Sequence, residues 1–410
     1  MPTLRAPRLA ALSLACAFLL SFQAAAHAAE AARPAVGAVL TEAQNLLSAG
    51  QWREAEAKLS AAEAMAPLNE YEAFMTLRMR AAAAAASGDL ARAQSALDAL
   101  LATNRLEPAD RLQMLSSMGQ TLYRAKDYLA SARWLQRYAD AGGGDAEVLA
   151  LRAPARYLAN DHAGARELLL AATQADAAAG RVTPLTTWRM LAGSQAKLGD
   201  DAGYRLSLRR MAVQHPQPAF WAELVKRELG DATLNERQLL DTQRLLFAAG
   251  ALTDANAALA VADEARRAGY PGEAVRILDA ALAGPKLTAD QSKALAGGRD
   301  SAHRAAEAER RERARDEKAA LAARDGRALF NLGWTRVLEG EADAGLPLMA
   351  QGLQRGGLPR ADEAQLHHGI ALALAGRGTE ARAALQLVRG EPAMVTLAGL
   401  WADFAERRVP

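Results

Sequence analysis

The groups from which acid–base or metal chemistry would be built are few and scattered. Beyond residue 28 the histidines are His162, His215, His303, His367 and His368. His367 and His368 are adjacent, so on a helix their side chains diverge by about 100° and cannot share one ion. Surface or packing roles are expected for them. Asp200-Asp201 fall at a turn and Asp362-Glu363 near a helix start, where carboxylates cap or solvate helix ends. No H-E-x-x-H, G-x-S-x-G, P-loop or dinucleotide fingerprint occurs. The expectation is a non-enzymatic chain with no catalytic residue, no metal and no cofactor. The enzyme reading that stays open is a cell-wall enzyme whose catalytic groups follow no recognised motif.

The chain of 410 residues is 51% hydrophobic, 5% aromatic and 23% charged, which describes a globular protein rather than a disordered one. Its Ala, Leu, Arg and Glu favour helix, and no Val/Ile/Thr-rich alternating run reads as a strand. The formal charge is +2. Setting aside Arg5 and Arg8 leaves zero, which gives no basis for nucleic-acid binding.

The first 28 residues read as a signal peptide. Arg5 and Arg8 precede an apolar run over residues 9–22, followed by Ala26-His27-Ala28, the A-x-A order of a cleavage site. Cleavage after Ala28 and export are expected; the run is short for a membrane span. The single cysteine, Cys16, lies inside this segment, with Ser13 where a lipidation signal wants Leu. The processed chain would therefore carry no cysteine and form no disulfide.

The elements that must position everything else come from a repeat. A turn glycine or its stand-in is followed five residues later by a small residue and nine later by an apolar one. The sets are Gly50, Ala55, Leu59; Gly88, Ala93, Leu97; Lys126, Ser131, Leu135; Asn160, Ala165, Leu169; Gly269, Ala274, Leu278; Gly376, Ala381, Leu385; and, more loosely, Gly340, Gly345, Met349. The turn residue accepts positive φ, the small residue lets two helices approach, and the apolar one packs a turn further on. First-helix halves are visible too: Trp188, Leu191 and Ala192 before Gly199, Gly333 before Gly340, Gly369 before Gly376, and Gly119 before Lys126. This is the tetratricopeptide pattern. The fold class expected is all-α, a right-handed superhelical solenoid of antiparallel helix pairs.

The expected divisions are a signal peptide (1–28), an N-terminal solenoid (35–285), a long charged helix (286–325), and a C-terminal pair of repeats with a capping helix (326–408). Breaks fall at Ala66-Pro67, Pro108, residues 142–144 and Thr183-Pro184. The unit around residues 218–251 keeps Trp221 and Leu224, but its second helix lacks the small-residue match, so it reads as a degenerate repeat. Residues 290–325 include the runs EAERRER and RDEK, whose opposite charges three and four apart suit a solvated helix. That helix would bridge two repeat blocks or serve as an interaction arm. Leu397, Leu400, Trp401 and Phe404 share one face of the final helix, which should close the stack.

In such a stack the first helices line the concave surface. The groove candidates are Phe330, Trp334 and Val337 in the penultimate repeat, and the more polar Ser116, Gln120 and Tyr123 in the third. Phe330 and Trp334 could instead pack against the preceding charged helix.

The stretches 328–334 (ALFNLGW), 348–353 (LMAQGL), 356–358 (GGL), 366–371 (LHHGIA), 388–390 (VRG) and 397–401 (LAGLW) run in order. With 123–128 (YRAKDY) and 134–138 (WLQRY), they resemble exported tetratricopeptide-repeat proteins described as components of TonB systems. The resemblance implies a periplasmic adaptor associated with the TonB, ExbB and ExbD energy-coupling complex, and carries no catalytic or ligand residue. The alternative partner is another cell-envelope assembly or secretion machine.

Overall fold

The computed structural model describes residues 32–65, 67–230, 232–284 and 287–407. The signal segment, Cys16 and the cleavage after Ala28 lie outside them, as does Ala66. The described residues fold as α1 (Pro34–Ser48), α2 (Trp52–Met65), α3 (Glu70–Ser87), α4 (Leu90–Ala102), α5 (Pro108–Arg124), α6 (Tyr128–Asp140), the short α7 (Ala146–Ala150) and α8 (Arg152–Leu158), and α9 (His162–Ala178). There follow α10 (Leu185–Lys197), α11 (Asp201–Gln214), α12 (Pro218–Leu229), α13 (Glu236–Ala248), α14 (Ala255–Arg267), α15 (Pro271–Leu282), α16 (Ala289–Ala322), α17 (Arg327–Leu338), α18 (Ala342–Arg355), α19 (Ala361–Leu374), α20 (Gly378–Leu385) and α21 (Pro392–Glu406). No strand occurs among the described residues. The fold is an all-α stack of antiparallel helix pairs of the tetratricopeptide kind.

The repeat works as its chemistry requires. All seven turn positions take positive φ: Gly50, Gly88, Gly269, Gly340 and Gly376, and also the non-glycines Lys126 (66°) and Asn160 (62°). The turn then closes in one stroke. Gly88 N–H donates to the Ala85 carbonyl and Asp89 N–H to the Ala84 carbonyl, while the Asp89 side chain accepts from Arg92 N–H to start the next helix. The small residues behind the turns are sealed: Ala55, Ala93, Ser131, Ala165 and Ala381 are all 0% exposed. The Ser131 hydroxyl donates to the Gly119 carbonyl at 2.7 Å, so the two helices touch where the small residues meet.

The closest crossing joins α17 and α18. A Cβ on Gly333 would lie 2.5 Å from the Gly345 carbonyl oxygen, and one on Gly326 would lie 1.8 Å from that of Gly352. Both glycine pairs are seven residues apart along each helix, so backbone meets backbone twice.

Two compact units emerge. One comprises residues up to 178 with 193–199; the other comprises 179–192 and 200 onward. Within the second unit α16 lies against α14, α15 and α17. The final helix also does more than end a row. It packs on α11, α12 and α13, with Leu397, Leu400 and Trp401 fully buried and Phe404 edge-on to Trp221 at 5.5 Å. The second unit closes on its own earlier helices.

Candidate functional site: a buried charge network in the C-terminal unit

That closure brings four ionisable side chains together away from water. Helix α13 opens with a capping box: the Asn235 side chain accepts from Gln238 N–H, and the Gln238 side chain accepts from Asn235 N–H. One turn later, Asp241 and Arg244 share its inward face with Leu240 and Leu245. Pro271 at the first turn of α15 presets its backbone and places Glu273 in the same turn, where the helix dipole favours an anion. Helix α17 supplies Trp334 and α19 supplies His367.

The Arg244 guanidinium grips Glu273 through two bonds of 2.7 Å each and donates a third, also 2.7 Å, to Asp241. The other Asp241 carboxylate oxygen lies 3.0 Å from His367 Nε2. Arg244 is centred 5.0 Å from the Tyr270 ring and 5.2 Å from the Trp334 ring. Trp334 in turn stacks on His367, centroids 4.6 Å apart and planes 7° off parallel. The Trp401 indole N–H donates to the Asp241 backbone carbonyl at 3.2 Å.

Every member is sealed: Asp241 is 1%, Arg244 4%, Glu273 4% and His367 7% exposed. Burial alone would push the Asp241 carboxyl up, but His367 and Arg244 outweigh it and hold it below the ordinary carboxylate range. Burial likewise opposes the Arg244 charge, and Glu273 and Asp241 overcome it. Burial raises the Tyr270 phenol.

The groove expectation for Phe330, Trp334 and Val337 is corrected by this packing. They are 3%, 2% and 2% exposed: Phe330 and Val337 lie on Gly352 and Gly345 of α18, and Trp334 meets Arg244 of α13 and His367 of α19. The Trp334 ring stacks on His367 and has Arg244 5.2 Å from its centre. Ser116, Gln120 and Tyr123 on α5 remain half-buried, with Tyr123 edge-on to Tyr128 at 5.4 Å.

The remaining histidines stand apart. His368 faces Arg377 and Glu380, and burial lowers its pKa. His215 meets the Thr183 carbonyl, His162 packs edge-on against Tyr157, and His303 neighbours Glu307. Among the described residues no three His, Cys, Asp or Glu side chains are grouped to hold a metal ion. A carboxylate–imidazole pair such as Asp241–His367 can serve a general base. The cavity that His367 borders is only about 80 Å³ and is walled by Arg327, Phe330, Asn331, Arg360 and Glu363, with no serine, threonine or cysteine in its lining. The network joins α13, α15, α17 and α19 within the unit.

Sequence reading missed this site because its partners lie on separate helices. The one local signal was a pair of opposite charges three apart, Asp241 and Arg244, on the apolar face of a helix already read as irregular.

No family model matches the chain, and no curated protein matches it. Among solved structures, it is similar to a chain of the Naa15/Naa10 complex bound to HypK-THB, at 12% identity and a TM-score of 0.28, over 88% of this chain and 64% of that one. It therefore spans less than two thirds of that chain's length. It is also similar to the TPR domain of P58(IPK), at 16% identity and a TM-score of 0.21, over 90% of this chain and 98% of that one.

Proposed function

We propose that the chain is an exported, non-enzymatic scaffold of the Gram-negative periplasm that serves the TonB, ExbB and ExbD energy-coupling complex as an accessory adaptor. The order of charged, apolar and A-x-A residues before Ala28 supports export, and the resemblance along the repeats supports the TonB system. A stack of helix pairs is a scaffold whose surface serves protein–protein contact.

One observation favours a place for a partner to dock. In the C-terminal unit the inward face of α17 is filled by the chain's own Arg244 and His367. In the N-terminal unit Ser116, Gln120 and Tyr123 stay partly open to solvent. That unit also carries an open cleft where Asp98, Arg111, Arg137 and Asp140 surround Leu101 and Leu115. These openings support the polar face of α5 as the docking surface.

Crosslinking and affinity capture of the tagged chain from envelope fractions tests the reading. TonB, ExbB or ExbD should be enriched over a control carrying only the signal peptide. Their absence, with another envelope assembly recovered, would end the TonB assignment and leave the scaffold. The variant Gln120→Ala should lower capture severalfold with an unchanged unfolding midpoint. Undiminished capture would remove α5 as the dock.

A further inference from the structure

Helix α16 has 34 residues, about 51 Å at 1.5 Å per residue, and its two halves are held by different forces. In the first half Leu295 and Ala302 are each 1% exposed and belong to an apolar cluster with Val261, Ile277 and Leu278. Gly298 lets the crossing tighten there, since a Cβ would lie 2.9 Å from a Leu259 methyl. Past Ala306 the character changes: over residues 307–319 no side chain is buried.

What fastens this second half is charge. Arg313 reaches Glu339 at 2.5 Å and Glu341 at 3.5 Å, Arg310 stands 3.9 Å from the same Glu339 oxygen, and Glu317 accepts from Arg336 at 2.7 Å. The Glu339 side chain is only 1% exposed, lying between Gly272 of α15 on one side and Arg313 of the strap on the other. At the far end Arg355 donates to the carbonyls of Ala320, Leu321 and Ala323 at 3.2, 3.1 and 3.1 Å, closing the helix terminus.

We propose that residues 307–322 form a charge-fastened strap that lifts from α17 when the Arg313–Glu339 pair is broken, while residues 289–303 stay docked. A buried carboxylate left with only the more distant Arg310 must regain water, and lifting the strap is the nearest route. A freed, highly charged segment of about sixteen residues loses the tertiary contacts that supply most of a helix's stability, so release shows as fraying. The strap's position thus depends on ionic conditions and on any partner cation able to replace Arg313.

Hydrogen exchange measured peptide by peptide on the full chain tests this. Arg313→Gln should speed exchange across 307–322 by tenfold or more and leave 289–303 unchanged. Adding Glu339→Gln, which removes the buried charge, should restore slow exchange. Raising sodium chloride from 0.05 to 1 M should move the unsubstituted protein in the same direction as Arg313→Gln. Unchanged exchange in Arg313→Gln, an equal rise in both halves of the helix, or no rescue by Glu339→Gln would each overturn the proposal.

Discussion

Glu72 in the N-terminal unit and Asp241 in the C-terminal unit are both closed off from water, at 0% and 1% exposure, yet they are satisfied in opposite ways. Glu72 belongs to the capping box of its own helix, with Asn69, and its one cation, Arg33, keeps a side chain 45% exposed. Asp241 depends on Arg244, His367 and Trp401, drawn from three helices, and Arg244 is itself sealed. The first arrangement is local and half in water. The second exists only when distant parts of the chain have assembled, and none of its members can turn to solvent if a partner is lost.

The largest expected effects fall on the second arrangement. Arg244→Ala strands two buried carboxylates and should cost about 3–5 kcal/mol in chemical denaturation. Arg33→Ala should cost clearly less, because Glu72 keeps its amide donors; equal losses would erase the contrast. Trp334→Ala removes the ring that stacks on His367 near Arg244, and should also cost about 3–5 kcal/mol. A stability near that of the unsubstituted protein would return Trp334 to the surface.

A smaller effect separates the helix crossings. Gly333→Ala forces a methyl against the Gly345 backbone and should cost about 1–3 kcal/mol. Gly119→Ala meets mainly the movable Leu135 side chain, and helix propensity offsets part of its cost, so the loss should be smaller.

Acid sharpens the comparison next. The Arg33 side chain, with amide donors, outweighs desolvation and holds the Glu72 carboxyl down from 4.5 to about 2. A depressed carboxylate contributes stability above its unfolded pKa and loses it as pH falls through the folded value. The N-terminal unit should therefore weaken between about pH 4.5 and 2, and Glu72→Gln should flatten that part of the pH–stability curve. The same sign applies to Asp241. The smallest change is a gain: Lys126→Gly relieves a left-handed backbone and should stabilise by up to about 1 kcal/mol, read as a higher melting temperature.

The fold was largely legible because its rule is local. A turn at one position, a small residue five later and an apolar one nine later are constraints within a single helix pair, so Lys126 and Asn160 could stand in for glycine and still be found. The final helix was legible for the same reason, through Leu397, Leu400, Trp401 and Phe404, but its destination on α11 to α13 was not. Ridge and groove chemistry alone does not say which distant helix a face will meet. The same gap hid the network. Phe330 and Trp334 looked like groove residues because their spacing on α17 fits a first helix, and spacing cannot report that Arg244 and His367 arrive to meet Trp334. The missing small residue on α13 was the trace of that arrival, since Asp241 and Arg244 hold its inward face.

The reach of these contacts also sets a timetable. Trp134 bonds Gln94, 40 positions away, whereas Trp401 bonds Asp241 across 160. A chain made from its N-terminus completes the first contact while synthesis is still early, but Asp241 and Arg244 must wait for His367 and then Trp401. Over that interval the C-terminal unit holds charged groups meant for a dry core while the helices that seal them do not yet exist, so its folding belongs to the last moments of synthesis or after them.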